Sequence, residues 1–244
     1  MSRWKASAIH LLLSAAIAGA VLLFMLEVWY PWPLFEAAGG SHLVLVLVAV
    51  DVTLGPLITL IIFKAGKKGL KFDLTVIAVV QLAALAYGIH TLYLARPVYL
   101  AFTVDRFDVV TAKDLDPADL EKVTHAQFKR PPLGRPQYVA AVLPSDPEEK
   151  LQILNTSLQG KDLQMYPQYY APYEQEALNA LKRAAALDVL AKRDAQQVER
   201  YLESSGRSAQ SLKFLPLRAP RKDGAVVLDA TSGKPLDILL IDPW

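Results

Sequence analysis

One carboxylate stands where a carboxylate is costly. Asp51 lies inside residues 41–63, SHLVLVLVAVDVTLGPLITLIIF, an apolar run close to the ~20 residues a helix needs to cross the hydrocarbon core of a bilayer. An acid there costs roughly 2.5–3.5 kcal/mol on insertion scales, so it must face protein or water and hold a partner, or be protonated. Gly55 shares its helix face, and Thr59 continues that face as a ridge of small residues along which another helix can approach closely. The next apolar run brings Tyr87 and His90. Counting ~1.5 Å per residue from the outer ends of two antiparallel helices places Asp51 about 12 Å deep, near the level of residue 86. Three kinds of chemistry follow. Asp51, Tyr87 and His90 form an internal hydrogen-bonded cluster that fixes helix register; or Asp51, Gly55 and Thr59 face a groove for another protein's helix; or Asp51 serves a proton relay. A membrane sensor or transport subunit using Asp51 and His90 is the alternative function.

Beyond the apolar runs, the groups most enzymes need are missing. The absence of cysteine excludes a disulfide framework, thiol redox chemistry and a cysteine nucleophile. His125 is the only histidine after residue 95, and there is no GxSxG, Walker loop, HExxH or dinucleotide fingerprint. Asp114, Asp116 and Asp119 lack the spacing of a calcium loop and read as a helix start. Arg106, between Asp105 and Asp108, reads as an ion-pair partner. No cofactor and no catalytic residue are expected, although carboxylate-only catalysis leaves no signature in a single sequence.

The elements that carry Asp51 are membrane helices. With 53% hydrophobic residues concentrated before residue 96, the chain reads as a membrane protein with a soluble remainder. Three helices are expected at about 8–28, 41–63 and 74–94, the first an uncleaved anchor because VLLFML extends it past the small residues of SAAIAGA. Trp29, Tyr30 and Trp32 follow as an interfacial aromatic belt. The first connection carries no lysine or arginine and the second, KAGKKGLK, carries four lysines, which places the N-terminus and the lysine loop in the cytoplasm. Everything from Arg96 onward is then extracytoplasmic. Residues 1–95 form the three-helix transmembrane domain and 96–244 the outer domain, which has 20 basic and 20 acidic residues and so gives no reason to expect nucleic-acid binding.

The outer domain reads as α+β with a mixed or antiparallel sheet. Alternation from Val98 through Val110 makes a strand leave the membrane almost directly. DLDPADLEKV starts a short helix at Asp116, QYVAAVL is a strand, and SDPEEKLQILNTSLQG is a helix capped by Ser145 or Asp146. Helical patterning covers 173–190 and 194–204, and three strand-like runs separated by PRKDG and DATSG close the chain as a meander. Between them lies QMYPQYYAPY, whose Tyr166, Tyr169, Tyr170 and Tyr173 could contact another protein, pack over the sheet or lie on the membrane.

Four stretches together resemble a known family. VDVTLGPLITLIIF (50–63), the lysine loop into FDL, QLAALAYGIHTLYLARPVYLAF (81–102) and VDRFDVV (104–110) are similar to type IV pilin accessory proteins of the TfpX/TfpZ group, most closely across 41–111. The resemblance implies a bacterial inner-membrane protein with a periplasmic C-terminal domain that assists type IV pilin in a chaperone-like way and promotes pilus assembly or surface piliation. Its partners would be pilin, other pilus assembly machinery and the lipid bilayer. On that reading the Asp51, Gly55, Thr59 face packs against the pilin helix, and the sheet or the tyrosine-rich stretch touches the pilin head.

Overall fold

The computed structural model describes residues 2–244, with the side chains of Val46 and Leu47 left out. Among the described residues, three helices are long and apolar enough to cross a membrane: Arg3–Trp29, Gly40–Ile62 and Leu70–Ala95. The first comprises α1 (Arg3–Phe24), whose Lys5 N–H is accepted by the Ser2 side chain at 3.3 Å, and a wide π turn, Met25–Trp29. A one-turn helix, α2 (Leu34–Ala37), lies in the following loop. The second span comprises α3 (Gly40–Val48), another π turn (Ala49–Leu54) and α4 (Gly55–Ile62). The third is α5 (Leu70–Ala95), entered through Gly69 at φ 86°, a left-handed conformation that glycine adopts without Cβ strain. The first and third helices run past the expected ends because Arg3, Lys5, Lys71 and Asp73 remain helical beyond the apolar stretch. Leu12, Ile61 and Phe72 point outward, the reverse of a water-soluble bundle.

The rest of the chain builds an α+β head on one mixed sheet. Its strands are β1 (Pro97–Phe102), β2 (Phe107–Thr111), β3 (Gln137–Ala141), β4 (Tyr170–Pro172), β5 (Ala185–Ala186), β6 (Leu212–Arg218), β7 (Gly224–Asp229) and β8 (Pro235–Leu239). The order is β4-β3-β1-β2-β6-β7-β8, with β5 on β6. The β1/β3 and β2/β6 pairs are parallel and the others antiparallel. The single strand expected over 98–110 is in fact a hairpin, because Thr103 N–H reaches the Arg106 carbonyl at 2.9 Å and turns the chain. Both strands of the hairpin are buried along their whole length, as central strands covered on both faces should be.

Helices α6 (Pro117–Glu121), α7 (Pro147–Ser157), α8 (Tyr173–Arg183), α9 (Leu187–Ala191) and α10 (Ala195–Ser205) cover the sheet. Asp116, Asp146 and Asp194 each accept a backbone N–H at a helix start, which settles the cap of α7 on Asp146. The continuous helix expected over 173–190 breaks at Ala184. There the backbone extends, and Ala185 and Ala186 pair with Phe214 and Lys213 of β6. Sheet hydrogen bonds outweigh alanine's helix preference, a difference of only tenths of a kcal/mol, about the span of ordinary helix propensities.

Bundle and head are tied together at several points. Leu34 and Ala37 of α2 belong to the same core as Leu100, Phe107, Tyr173 and Leu215. The Ala37 carbonyl accepts the Arg221 N–H at 3.0 Å, and Lys222 lies 3.8 Å from the Glu36 carboxylate. The loop between the first two spans is thus part of the head's core, so the packing does not divide at residue 95.

Candidate functional site

The second span supplies the floor of the site, and its π turn is where the local chemistry concentrates. Pro56 has no N–H and cannot donate to a carbonyl one turn back, so the chain widens just before it. Gln81 of α5 fills part of the deficit: its Nε2 donates to the Asp51 carbonyl at 3.3 Å. This approach needs glycine opposite, since a Cβ on Gly55 would stand 1.9 Å from Gln81 Nε2. On the other side, Ser7 Oγ of α1 donates to the Pro56 carbonyl at 2.8 Å, and His10 Nδ1 and Thr59 Oγ1 share a hydrogen bond of 2.7 Å. The small-residue ridge of Gly55 and Thr59 is therefore covered by the chain's own first and third helices. It is not the free surface the sequence reading offered to a partner.

Asp51 is different. Its residue is only 8% exposed, yet its Oδ1 has no hydrogen-bond partner among the described residues. It lines a cavity of about 210 Å³ with His10, Ser14, Gln81, Leu13 and Leu82, among others. The first and third spans meet at the ends next to the head, where Trp29 and Tyr93 stack edge to face at 5.6 Å and Tyr30 donates to the Leu92 carbonyl at 3.0 Å. Below that point they part, leaving a groove floored by the second span. Leu13 and Leu82 stand at its rim, 60% and 61% exposed. Such a slot offers an apolar wall and one strong hydrogen-bond acceptor.

Tyr87 and His90 do not reach this acceptor. Tyr87 is 74% exposed, and His90 is exposed as well. At 100° per residue, His90 lies half a turn around α5 from Gln81, on the opposite face. The depth count placed these residues near Asp51 along the membrane normal but said nothing of azimuth. The cluster of Asp51, Tyr87 and His90 is not formed.

The tyrosine-rich stretch is likewise turned inward. Tyr166 donates to Thr156 Oγ1 at 2.7 Å, Tyr170 to the Gln164 carbonyl and Tyr173 to the Gly233 carbonyl at 2.7 Å. Burial pushes the phenols of Tyr170 and Tyr173 well above their ordinary range, and only Tyr169 keeps partial exposure. Of the three roles open to these residues, the structure gives Tyr166, Tyr170 and Tyr173 the packing one. Among the described residues there is no group of three or more His, Cys, Asp or Glu that could hold a metal ion.

Comparison with known proteins supplies the family. Over 234 residues the chain is 30% identical to "Fimbrial assembly protein, serogroup I" of Dichelobacter nodosus, covering 92% of this chain and 90% of that one. The chain belongs to the fimbrial assembly protein family. A second relative from the same organism, "Fimbrial assembly protein, serogroup E1", is 29% identical over 233 residues, 92% of this chain and 90% of its own. "Fimbrial assembly protein, serogroups C1 and C2" is 35% identical over 113 residues, 46% of this chain and 86% of its own. Residues 1–39 match the family described as "Fimbrial assembly protein FimB". No solved structure matches.

For this member of the fimbrial assembly family, the matched segment 1–39 holds one wall of the groove, including His10 and Ser14. Sequence reading passed over both as groove residues. Depth would not have paired His10 with Thr59: counted from Arg3 and Ile62, the ends of the first two spans far from the head, His10 is seven residues in and Thr59 three, about a turn apart. Its pairing with Thr59, and the coupling of Gln81 to Asp51, depend on rotation of the helices, which no count along one chain supplies.

Proposed function

We propose that this chain acts in fimbrial assembly as a membrane accessory factor for type IV pilin, of the TfpX/TfpZ kind, binding rather than transforming its client. The groove between the first and third spans receives the pilin's membrane helix, and Asp51 accepts a hydrogen bond from it. The observation that carries this reading is the buried Asp51 carboxylate with an unpartnered oxygen in a slot whose walls part below the outer end. An acid that costs several kcal/mol in lipid is retained when a second helix supplies the missing donor. The family relationship supplies the fimbrial context. The head assists by holding the outer ends of the helices together through α2.

The lysine loop at 64–71 supports an orientation with the N-terminus cytoplasmic and the head periplasmic, the chain lying in the inner membrane on the resemblance to pilin accessory proteins. Since the sequence has no cysteine, single cysteines at Lys67 and Val104 read this sidedness directly with an impermeant reagent.

The decisive experiment places photo-crosslinking residues at Leu13 and Leu82, with Tyr87 as a control on the far face of α5, and counts surface pili for Asp51→Asn and Asp51→Leu. Crosslinks to pilin from the rim and not from Tyr87, together with loss of pili in Asp51→Leu, are expected. Full piliation in Asp51→Leu with no rim crosslink would sink the reading.

A further inference from the structure

The segment 129–136, KRPPLGRP, joins a core residue of the head, Phe128, to β3, yet its middle is bonded to the membrane helices. Trp29 Nε1, at the end of the first span, donates to the Leu133 carbonyl at 3.1 Å. The Arg96 guanidinium, at the end of the third span, donates to the Pro132 carbonyl at 3.4 Å. Arg135 Nε donates to the Glu27 carbonyl at 3.0 Å, with its guanidinium 3.4 Å from the Glu27 carboxylate. Three contacts to the outer ends of two spanning helices fix the depth of this loop. It lies where Trp29 and Tyr93 lie, at the boundary between acyl chains and headgroups.

Two features of the loop suit that depth. Leu133 is 68% exposed at its tip, although the residues beside it are pinned to the protein. Lys129 and Arg130 are exposed and have no ion-pair partner among the described residues, and the segment contains no acid. Three prolines restrict the loop before anything binds, which lowers the ordering cost. We propose that segment 129–136 is a docking site for anionic phospholipid, with Lys129 and Arg130 on the headgroup phosphates and Leu133 set among the upper acyl chains. This depends on the chain crossing a bilayer and not on the pilin reading. It also holds for either orientation of the chain.

The test uses the full chain in phosphatidylcholine nanodiscs. Because the sequence has no cysteine, Leu133→Cys and Val104→Cys each carry one fluorescent label, Val104 being exposed in the turn at the other end of β1. Brominated acyl chains should quench the label at 133 several-fold more than the label at 104. Titrating in short-chain phosphatidylglycerol should shift the emission of the label at 133, with a midpoint raised about fivefold by Lys129→Gln or Arg130→Gln, the value of one cation at an anionic surface. Short-chain phosphatidylcholine and inorganic phosphate should leave the emission unchanged. Equal quenching at 133 and 104, a midpoint indifferent to both substitutions, or an equal response to inorganic phosphate would each overturn the proposal. Bromine quenching retained in the two charge variants shows that they are folded and inserted.

Discussion

Asp51 in the bundle and Asp119 in the head are both buried carboxylates, and their surroundings are opposite. Asp119 accepts from Lys122 at 2.8 Å and from Lys161 at 2.5 Å. Burial alone would raise its carboxyl, but those two hydrogen bonds outweigh burial and hold it below the usual carboxylate range. Among the described residues Asp51 has no ion-pair partner; the polar residues that line its cavity with it are His10, Ser14 and Gln81, and Gln81 is engaged with the Asp51 carbonyl. In the head a buried acid is complete within the chain. In the membrane the same group is left incomplete, in a slot that parts toward lipid. A buried polar group left unsatisfied calls for a reason, and on the proposed reading the pilin helix supplies it.

The strongest way to break this contrast is Asp51→Leu. Removing an uncompensated acid from the bundle should raise the thermal stability of the purified protein by about 2 kcal/mol or more. Surface pili should fall about tenfold, the consequence of losing ~1.4 kcal/mol of client binding. A stability gain without loss of pili would mean that Asp51 serves neither fold nor client. Gly55→Leu attacks the closed side of the bundle, since its side chain must displace Gln81; over-packing there should cost about 1–3 kcal/mol in a thermal melt in detergent.

Asp119→Asn sharpens the head side. It removes charge-assisted hydrogen bonds to two lysines, one of them well exposed, and should cost about 1–2 kcal/mol near neutral pH. The sign with pH follows from its lowered folded pKa. Asp119 contributes fully above the ordinary value of 3.8, and its contribution disappears as pH falls through the lower folded value. Denaturant melts at pH 7 and pH 3 should therefore separate wild type from Asp119→Asn less at the lower pH. The smallest effect is expected from His10→Ala, which removes the hydrogen bond to Thr59 and should cost about 1 kcal/mol with little change in piliation. A large loss of pili in His10→Ala at unchanged stability would move the client contact toward the inner end of the groove.

Much of the fold was legible along the chain because the signals are local. Apolar length marked the three spans, Asp-Pro starts marked α6 and α7, and the Asp-Gly and Ser-Gly turns marked the β6, β7, β8 meander. The misreadings came where a distant partner decides. β5 exists because β6 is beside it, and α2 is buried because the sheet needs Leu34 and Ala37. The tyrosines from 166 to 173 could not be told from a contact patch, since a phenol that packs and one that binds have the same sequence spacing.

By itself the sequence determined that an acid lies within a membrane-length apolar helix, because hydrophobic length and one charge are properties of consecutive residues. Which groups surround that acid depends on how three helices are rotated about their axes, and rotation is set by side chains from all three packing at once. Only the tertiary structure therefore decided that Gly55 and Thr59 are covered, that Tyr87 and His90 face away, and that Asp51 stands in the groove with an oxygen still free.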